Sequence, residues 1–160
     1  MFDSTRRPNL NLCWGSRGEK KTDTPSAGRY VLGASDVLRY MVTAGSGIGR
    51  YIGLALDTDA VRQSNGELEN NDVASVFLGW RHVFSAQWRG NLLGSFAEFD
   101  HAAASVGGTT ASSQSLHANL IYSPVPKFDV RAELIFANRE LKNGADGDLN
   151  RLHVHVKYNF

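Results

Sequence analysis

The sequence predicts an all-β chain, an antiparallel meander of about six to seven strands, and three observations predict it. From about residue 29 onward apolar and polar side chains alternate with period two, the repeat of a strand and not of a helix. The alternating runs are separated by clusters of Gly, Asn, Asp, Ser and Pro, residues whose backbone and side-chain chemistry favours turns. No apolar stretch approaches the ~20 residues of a membrane-crossing helix, which excludes helical spans and leaves open strands that cross a bilayer, since these alternate.

The elements follow in order. Residues 1 to 28 hold Arg6, Arg7, Arg17, Lys20 and Lys21 with Pro8 and Pro25 and show no period, so they read as an irregular lead-in outside the strand region. Tyr30 to Leu32 is a strand stub. Val37 to Ala44 and Val76 to Phe84 read as strands, as does Trp88 to Phe99, with Leu92 and Phe96 on one face. Ser115 to Ser123 turns Leu116, Ala118, Leu120 and Tyr122 the same way. Phe128 to Glu140 sets Phe128, Val130, Ala132, Leu134 and Phe136 against Asp129, Arg131 and Glu133, and becomes less regular at its upper end. Arg151 to Phe160 alternates without exception: Leu152, Val154, Val156, Tyr158 and Phe160 against Arg151, His153, His155, Lys157 and Asn159.

The connections alternate between short and long. Gly33 to Asp36, Ser85 to Gln87 and Ser123 to Lys127 are tight, whereas Gly45 to Asp72, His101 to Gln114 and Lys142 to Asn150 are long. Outer-membrane barrels sort their loops this way, with short turns at one rim and long loops at the other. Phe84, Trp88, Tyr122, Phe128, Tyr158 and Phe160 lie beside tight turns or the chain end, where a barrel carries an aromatic girdle. Six strands and a stub are fewer than the about eight of the smallest such barrels. The expectation is therefore the C-terminal portion of a larger transmembrane barrel over residues 29 to 160.

Composition removes other classes. Seventeen Lys and Arg against sixteen Asp and Glu give a net charge of +1, so no overall basic field points to a nucleic-acid partner. The single cysteine, Cys13, forms no intramolecular disulfide and has no Cys or His cluster around it. Arg6 and Arg7 are followed by no apolar run, so the N-terminal residues do not read as an export signal. Gly45-Ser46-Gly47-Ile48-Gly49 departs from a nucleotide loop at Arg50 and reads as the start of a long loop. Asp146-Gly147-Asp148 lacks the full calcium-loop pattern and, after Asn143-Gly144, reads as a hairpin turn. No catalytic arrangement, cofactor motif or metal set stands out, and the chain is not expected to be an enzyme.

Several short runs, taken in order, resemble the DcaP-like family of trimeric outer-membrane porins. These are Gly47-Ile48-Gly49-Arg50-Tyr51-Ile52-Gly53-Leu54, Asp59-Ala60-Val61, Asn65-Gly66-Glu67-Leu68-Glu69, Gly79-Trp80-Arg81-His82, Trp88-Arg89-Gly90-Asn91-Leu92 and Asn119-Leu120-Ile121-Tyr122-Ser123-Pro124. Arg139-Glu140, Asn143-Gly144, Gly147-Asp148, Arg151-Leu152 and Lys157-Tyr158-Asn159-Phe160 complete the set. The resemblance implies a large antiparallel barrel, a homotrimer, an outer-membrane location in a Gram-negative bacterium, and diffusion of small, mostly anionic organic solutes. Tyr158 and Phe160 resemble the C-terminal signal read by barrel-insertion machinery.

In such a barrel the residues opposite the apolar rows face the lumen. Arg39, Arg81, Arg89, Arg131, Arg139, Arg151 and Lys157 stand there against Asp129 and Glu133, and so do His153 and His155, which fill polar positions and gain charge in mild acid. A guanidinium row suits carboxylate and phosphate groups, giving weak anion selectivity; the alternative is that these charges neutralise one another as scaffolding. The loop from Gly45 to Asp72 either folds inward, setting Asp57, Asp59, Glu67, Glu69 and Asp72 across from the basic wall, or is solvated. Two other readings of the chain stand beside the porin: a truncated, non-transporting fragment, and a small soluble barrel holding an apolar ligand.

Overall fold

The computed structural model describes residues 25–52, 56–102, 105 and 107–160. Nine strands are present among them, and no α-helix: β1 Ser26–Leu32, β2 Asp36–Ser46, β3 Ala60–Arg62, β4 Leu68–Asn70, β5 Asp72–Val83, β6 Trp88–Asp100, β7 Thr110–Val125, β8 Phe128–Leu141 and β9 Asp146–Tyr158. Seven of them form one antiparallel sheet in the order β1-β2-β5-β6-β7-β8-β9, so every neighbour in space is the next sheet strand along the chain. The all-β meander is thus observed. The remaining two, β3 and β4, pair as a hairpin inside the β2–β5 connection, beside a 3-10 turn at Gly49–Tyr51.

The N-terminal stub is a full strand. Ser26 to Gly28 open β1 and pair with Val42 to Tyr40, while residues 1–24 of the expected lead-in lie outside the described residues. Most strands also run past the limits that alternation marks: β7 begins at Thr110 and β9 at Asp146. The connection expected over Lys142 to Asn150 is therefore not long. It is a four-residue turn closed by the Leu141 amide donating to the Ala145 carbonyl at 2.8 Å, with Gly144 at a φ of 80°. Asp146-Gly147-Asp148 is not part of that turn but opens β9.

The reason lies in the faces. Cross-strand partners share a face, so the register sorts the sheet into two. One face carries Val76, Leu78, Trp80, Trp88, Leu92, Phe96, Leu116, Leu120, Tyr122, Phe128, Val130, Leu134, Phe136, Leu152, Val154, Val156 and Tyr158. Above the row Phe96, Leu116 and Phe136 the same face turns polar, with Glu98, Gln114, Asn138 and Asp148. Alternation ends there because the apolar residues change sides, with Val73, Ala97 and Phe99 now on the second face and Arg139 beside Ala137 and Leu141, yet the hydrogen-bonded ladder continues.

The apolar band matches a bilayer. Phe128 to Phe136 in β8 rises roughly 27 Å along the strand, or about 21 Å at a barrel tilt of ~40°, close to the ~25 Å band of outer-membrane barrels. Its side chains are uncovered: Leu134 and Phe136 are each 47% exposed. Such a continuous apolar surface is unfavourable in water and calls for lipid or protein against it. At the tight-turn rim Trp88 stacks on Tyr122 with ring centroids 4.5 Å apart, and Tyr158 meets Phe160 edge-on at 5.3 Å.

Candidate functional site

The opposite face carries the chemistry. Every Lys and Arg of the seven-stranded sheet lies on it, namely Arg29, Arg39, Arg81, Arg89, Arg131, Arg139, Arg151 and Lys157. All the residues singled out from the sequence are gathered there: Arg39, Arg81, Arg89, Asp129, Arg131, Glu133, Arg139, Arg151, His153, His155 and Lys157. The carboxylates divide differently. Only Asp129 and Glu133 share this face, while Asp36, Asp72, Glu98, Asp100, Glu140, Asp146 and Asp148 stand on the apolar side, toward its ends.

Two of the arginines are neutralised. Arg89 Nη2 donates to Asp129 Oδ2 at 2.8 Å and its Nη1 to Ser123 Oγ at 2.5 Å, while Ser123 Oγ donates to the other Asp129 oxygen. Arg131 Nη2 lies 2.7 Å from Glu133 Oε2, and His117 Nδ1 lies 3.6 Å from Oε1 of the same carboxylate. These side chains are shielded, Glu133 at 12% exposure. Asn91 donates to Asn119 Oδ1 at 2.7 Å and Ser95 meets Ser115 at 2.8 Å, so the middle of the face is a connected polar ladder. The His153 and His155 rings lie 5.7 Å apart and tilted by 39°, and no metal-holding group of three His, Cys, Asp or Glu occurs among the described residues.

Arg89 and Arg131 are thus ion-paired, whereas Arg39, Arg81 and Arg151 have no ion-pair partner among the described residues.

Arg29 and His117 also stand on this face and escaped the sequence reading. Arg29 lies inside the expected strand region but just ahead of the stub Tyr30 to Leu32, and Tyr30 and Leu32 on the apolar side set residue 29 opposite. His117 sits one step from Leu116 and Ala118, so the same alternation marks it.

The long β2–β5 loop folds onto this polar face at its long-loop end. Ile52 is buried with Val73, Ala97 and Phe99, three side chains of that face, and Ile48 and Leu56 pack against them. Thr110, fully buried, donates from Oγ1 to the Leu56 carbonyl at 2.8 Å and accepts from Arg139 Nε at 2.9 Å. Asn71, 2% exposed, donates through Nδ2 to Thr58 O at 2.9 Å and accepts from the Ala102 amide at 3.0 Å.

The loop thus folds onto the charged face of the sheet, but its carboxylates do not confront the basic residues there. Asp59 is taken by Arg50, which it also bonds at the backbone amide at 2.8 Å; this contact, by hydrogen bond and then by charge, raises the guanidinium above its usual pKa. Asp57 is bonded to His101, Glu69 to Gln63 and Glu67 to Asn65. Asp72 opens β5 on the other face. Short-range partners within reach of each carboxylate outcompete a wall across the sheet.

No protein-family model and no curated protein matches the chain. Among solved structures it is similar to the outer membrane channel DcaP of Acinetobacter baumannii, with a TM-score of 0.72 and 17% identity. The match covers 82% of this chain and 38% of that one, so the chain spans well under half the length of the channel it resembles. The sheet has the fold of part of a porin-type barrel wall, and the matched protein is a channel, not an enzyme.

Proposed function

We propose that the chain is a porin-type barrel segment whose charged face lines an aqueous passage for passive, weakly anion-selective diffusion of small organic solutes. The segregation of charge carries this reading: eight Arg and Lys on one face against Asp129 and Glu133, with an uncovered apolar band on the other. An arginine-rich wall lowers the barrier for anions and offers transient bidentate contacts to carboxylates. Residues 29 to 160 are the barrel segment in this reading. The partners it implies are outer-membrane lipid against the apolar band, like subunits in a trimer, small anionic solutes, and insertion machinery engaging Tyr158 and Phe160.

Planar-bilayer recording under a salt gradient tests it, with this chain refolded beside a version completed to a closed barrel. The expected result is conductance steps from the completed barrel with a reversal potential displaced toward the anion. Silence from both forms overturns the passage, and a cation-directed potential overturns the selectivity.

A further inference from the structure

The polar face is not uniformly basic, and the difference between its halves points to a bound ligand. In β6 to β8 Arg89 is matched to Asp129 and Arg131 to Glu133, and Arg139 is held by the Thr110 hydroxyl. In β1, β2 and β5 no cation is matched. Arg29 and Arg39 are register partners, directly opposite each other, and Arg81 pairs with Val37, two residues from Arg39 on the same strand and face. Direct partners hold their Cβ atoms about 5 Å apart and diagonal neighbours about 7 to 8 Å, so all three guanidinia fall within reach of one small group.

Around them on this face stand Ala27, Val31, Val37, Met41 and Phe77, with Asn91 of β6 directly opposite Arg81, and β1, β2 and β5 carry no carboxylate on this face. The space over Gly79, opposite Arg39, is taken by the Phe77 ring, two ring carbons of which lie 3.4 Å from where a Cβ would stand, so an apolar surface flanks the Arg39 side chain. All three arginines are exposed, unlike the shielded Arg89 and Arg131. Like charges directly opposed on a sheet are destabilising, and packing alone gives no reason to keep them.

We propose that Arg29, Arg39 and Arg81 form a subsite for a single oxyanion group, carboxylate or phosphate, carried by a small solute. It rests on the passage reading and deepens it, since it places selectivity at one station on the wall and not in a diffuse field. Three converging forks match the planar or tetrahedral oxygens of such a group with paired charge-assisted hydrogen bonds, and binding removes the mutual repulsion of the free arginines. The folded loop lies toward the other end of the same face, over Val73, Ala97 and Phe99, so this station is separate from the loop constriction.

The test is titration of the arginine Nε–H resonances of the refolded chain in detergent micelles with sodium acetate, inorganic phosphate and sodium chloride at constant ionic strength. Saturable shifts of a small set of arginine signals are expected with acetate, with phosphate, or with both. The two arms separate a carboxylate from a phosphate ligand. Arg39→Gln is expected to weaken that binding at least tenfold, Arg39→Lys to recover only part of it, and Arg62→Gln, in the β3–β4 hairpin outside the seven-stranded sheet, to leave it unchanged.

Identical curves with chloride, or equal losses from Arg39→Gln and Arg62→Gln, overturn the subsite. Saturable binding together with a silent completed barrel keeps the subsite and removes the passage; conduction without saturable binding does the reverse. Each substitution to Gln relieves repulsion, so the fold, followed by far-UV circular dichroism, is retained.

Discussion

The Asp57 carboxylate is hydrogen-bonded to His101 Nε2 with only 3% of either side chain exposed, although 44 residues separate them in sequence. The pair joins the β2–β5 loop to the β6–β7 connection and holds both against the end of the sheet. A hydrogen bond to a charged group, once buried, is expensive to break from one side. His101→Ala is expected to raise the exchange rate of the Ile52 and Asn71 amides roughly 10- to 100-fold, the equivalent of about 1.5 to 3 kcal/mol, with the sheet amides unaffected. Unchanged loop protection in the variant would show that Asn71 and Thr110 suffice to hold the loop.

Leu120 and Ile121 are adjacent and face opposite sides, the first opposite Ala132 in the middle of the apolar band and the second opposite Arg131. An arginine on the lipid side near the bilayer midplane costs about 2 to 4 kcal/mol, while the polar side tolerates one. Leu120→Arg should therefore shift the urea midpoint of folding into vesicles strongly and Ile121→Arg weakly. A reversal of that order would exchange the faces.

Lys127, in the two-residue turn between β7 and β8, is the only non-glycine with positive φ among the described residues, at 68°. Its side chain gives no return in this conformation, which costs an L-residue about 1 to 2 kcal/mol relative to glycine's freedom. Part of that is offset by glycine's larger entropy when unfolded. Lys127→Gly is expected to stabilise the chain by up to about 1 kcal/mol in urea titration, and a destabilised variant would mean that the left-handed turn is not the conformation in detergent.

Glu133 holds Arg131 at 2.7 Å and His117 at 3.6 Å, and it is the more shielded partner of each pair. Glu133→Gln leaves the arginine without its counter-charge, so in a completed barrel the reversal potential should move further toward the anion while thermal stability falls. A potential that stays put would mean that this part of the wall lies outside the conducting path.

Faces were far more legible in the sequence than ends. Leu152 to Phe160 and Phe128 to Phe136 announce both strands because apolar side chains take one side of each and polar side chains the other. The end of β8 is expected at Glu140 and observed at Leu141, but before Arg151 and Ser115 no alternation survives to show that β9 starts at Asp146 and β7 at Thr110.

The site divides the same way. That Arg39, Arg81 and Arg151 share a face follows from counting by two, whereas the neutralisation of Arg89 depends on Asp129, 40 residues away on a strand that is not its neighbour. The loop's inward fold was anticipated from its length, but the partners of its carboxylates were not. Arg50 with Asp59 and Gln63 with Glu69 are set by the local path of the chain, which no period describes.

The meander topology also sets an order of assembly. Turns of two to four residues or a loop of residues 101–109 join each neighbouring pair from β5 to β9, and only residues 47–71 stand between β2 and its partner. Closing that longer segment costs roughly 1.6 kcal/mol more in chain entropy than closing a four-residue turn. The five-stranded block from β5 to β9 thus forms first as successive hairpins, and the β1–β2 hairpin docks onto β5 afterwards, bringing Arg29 and Arg39 beside Arg81 as the last event.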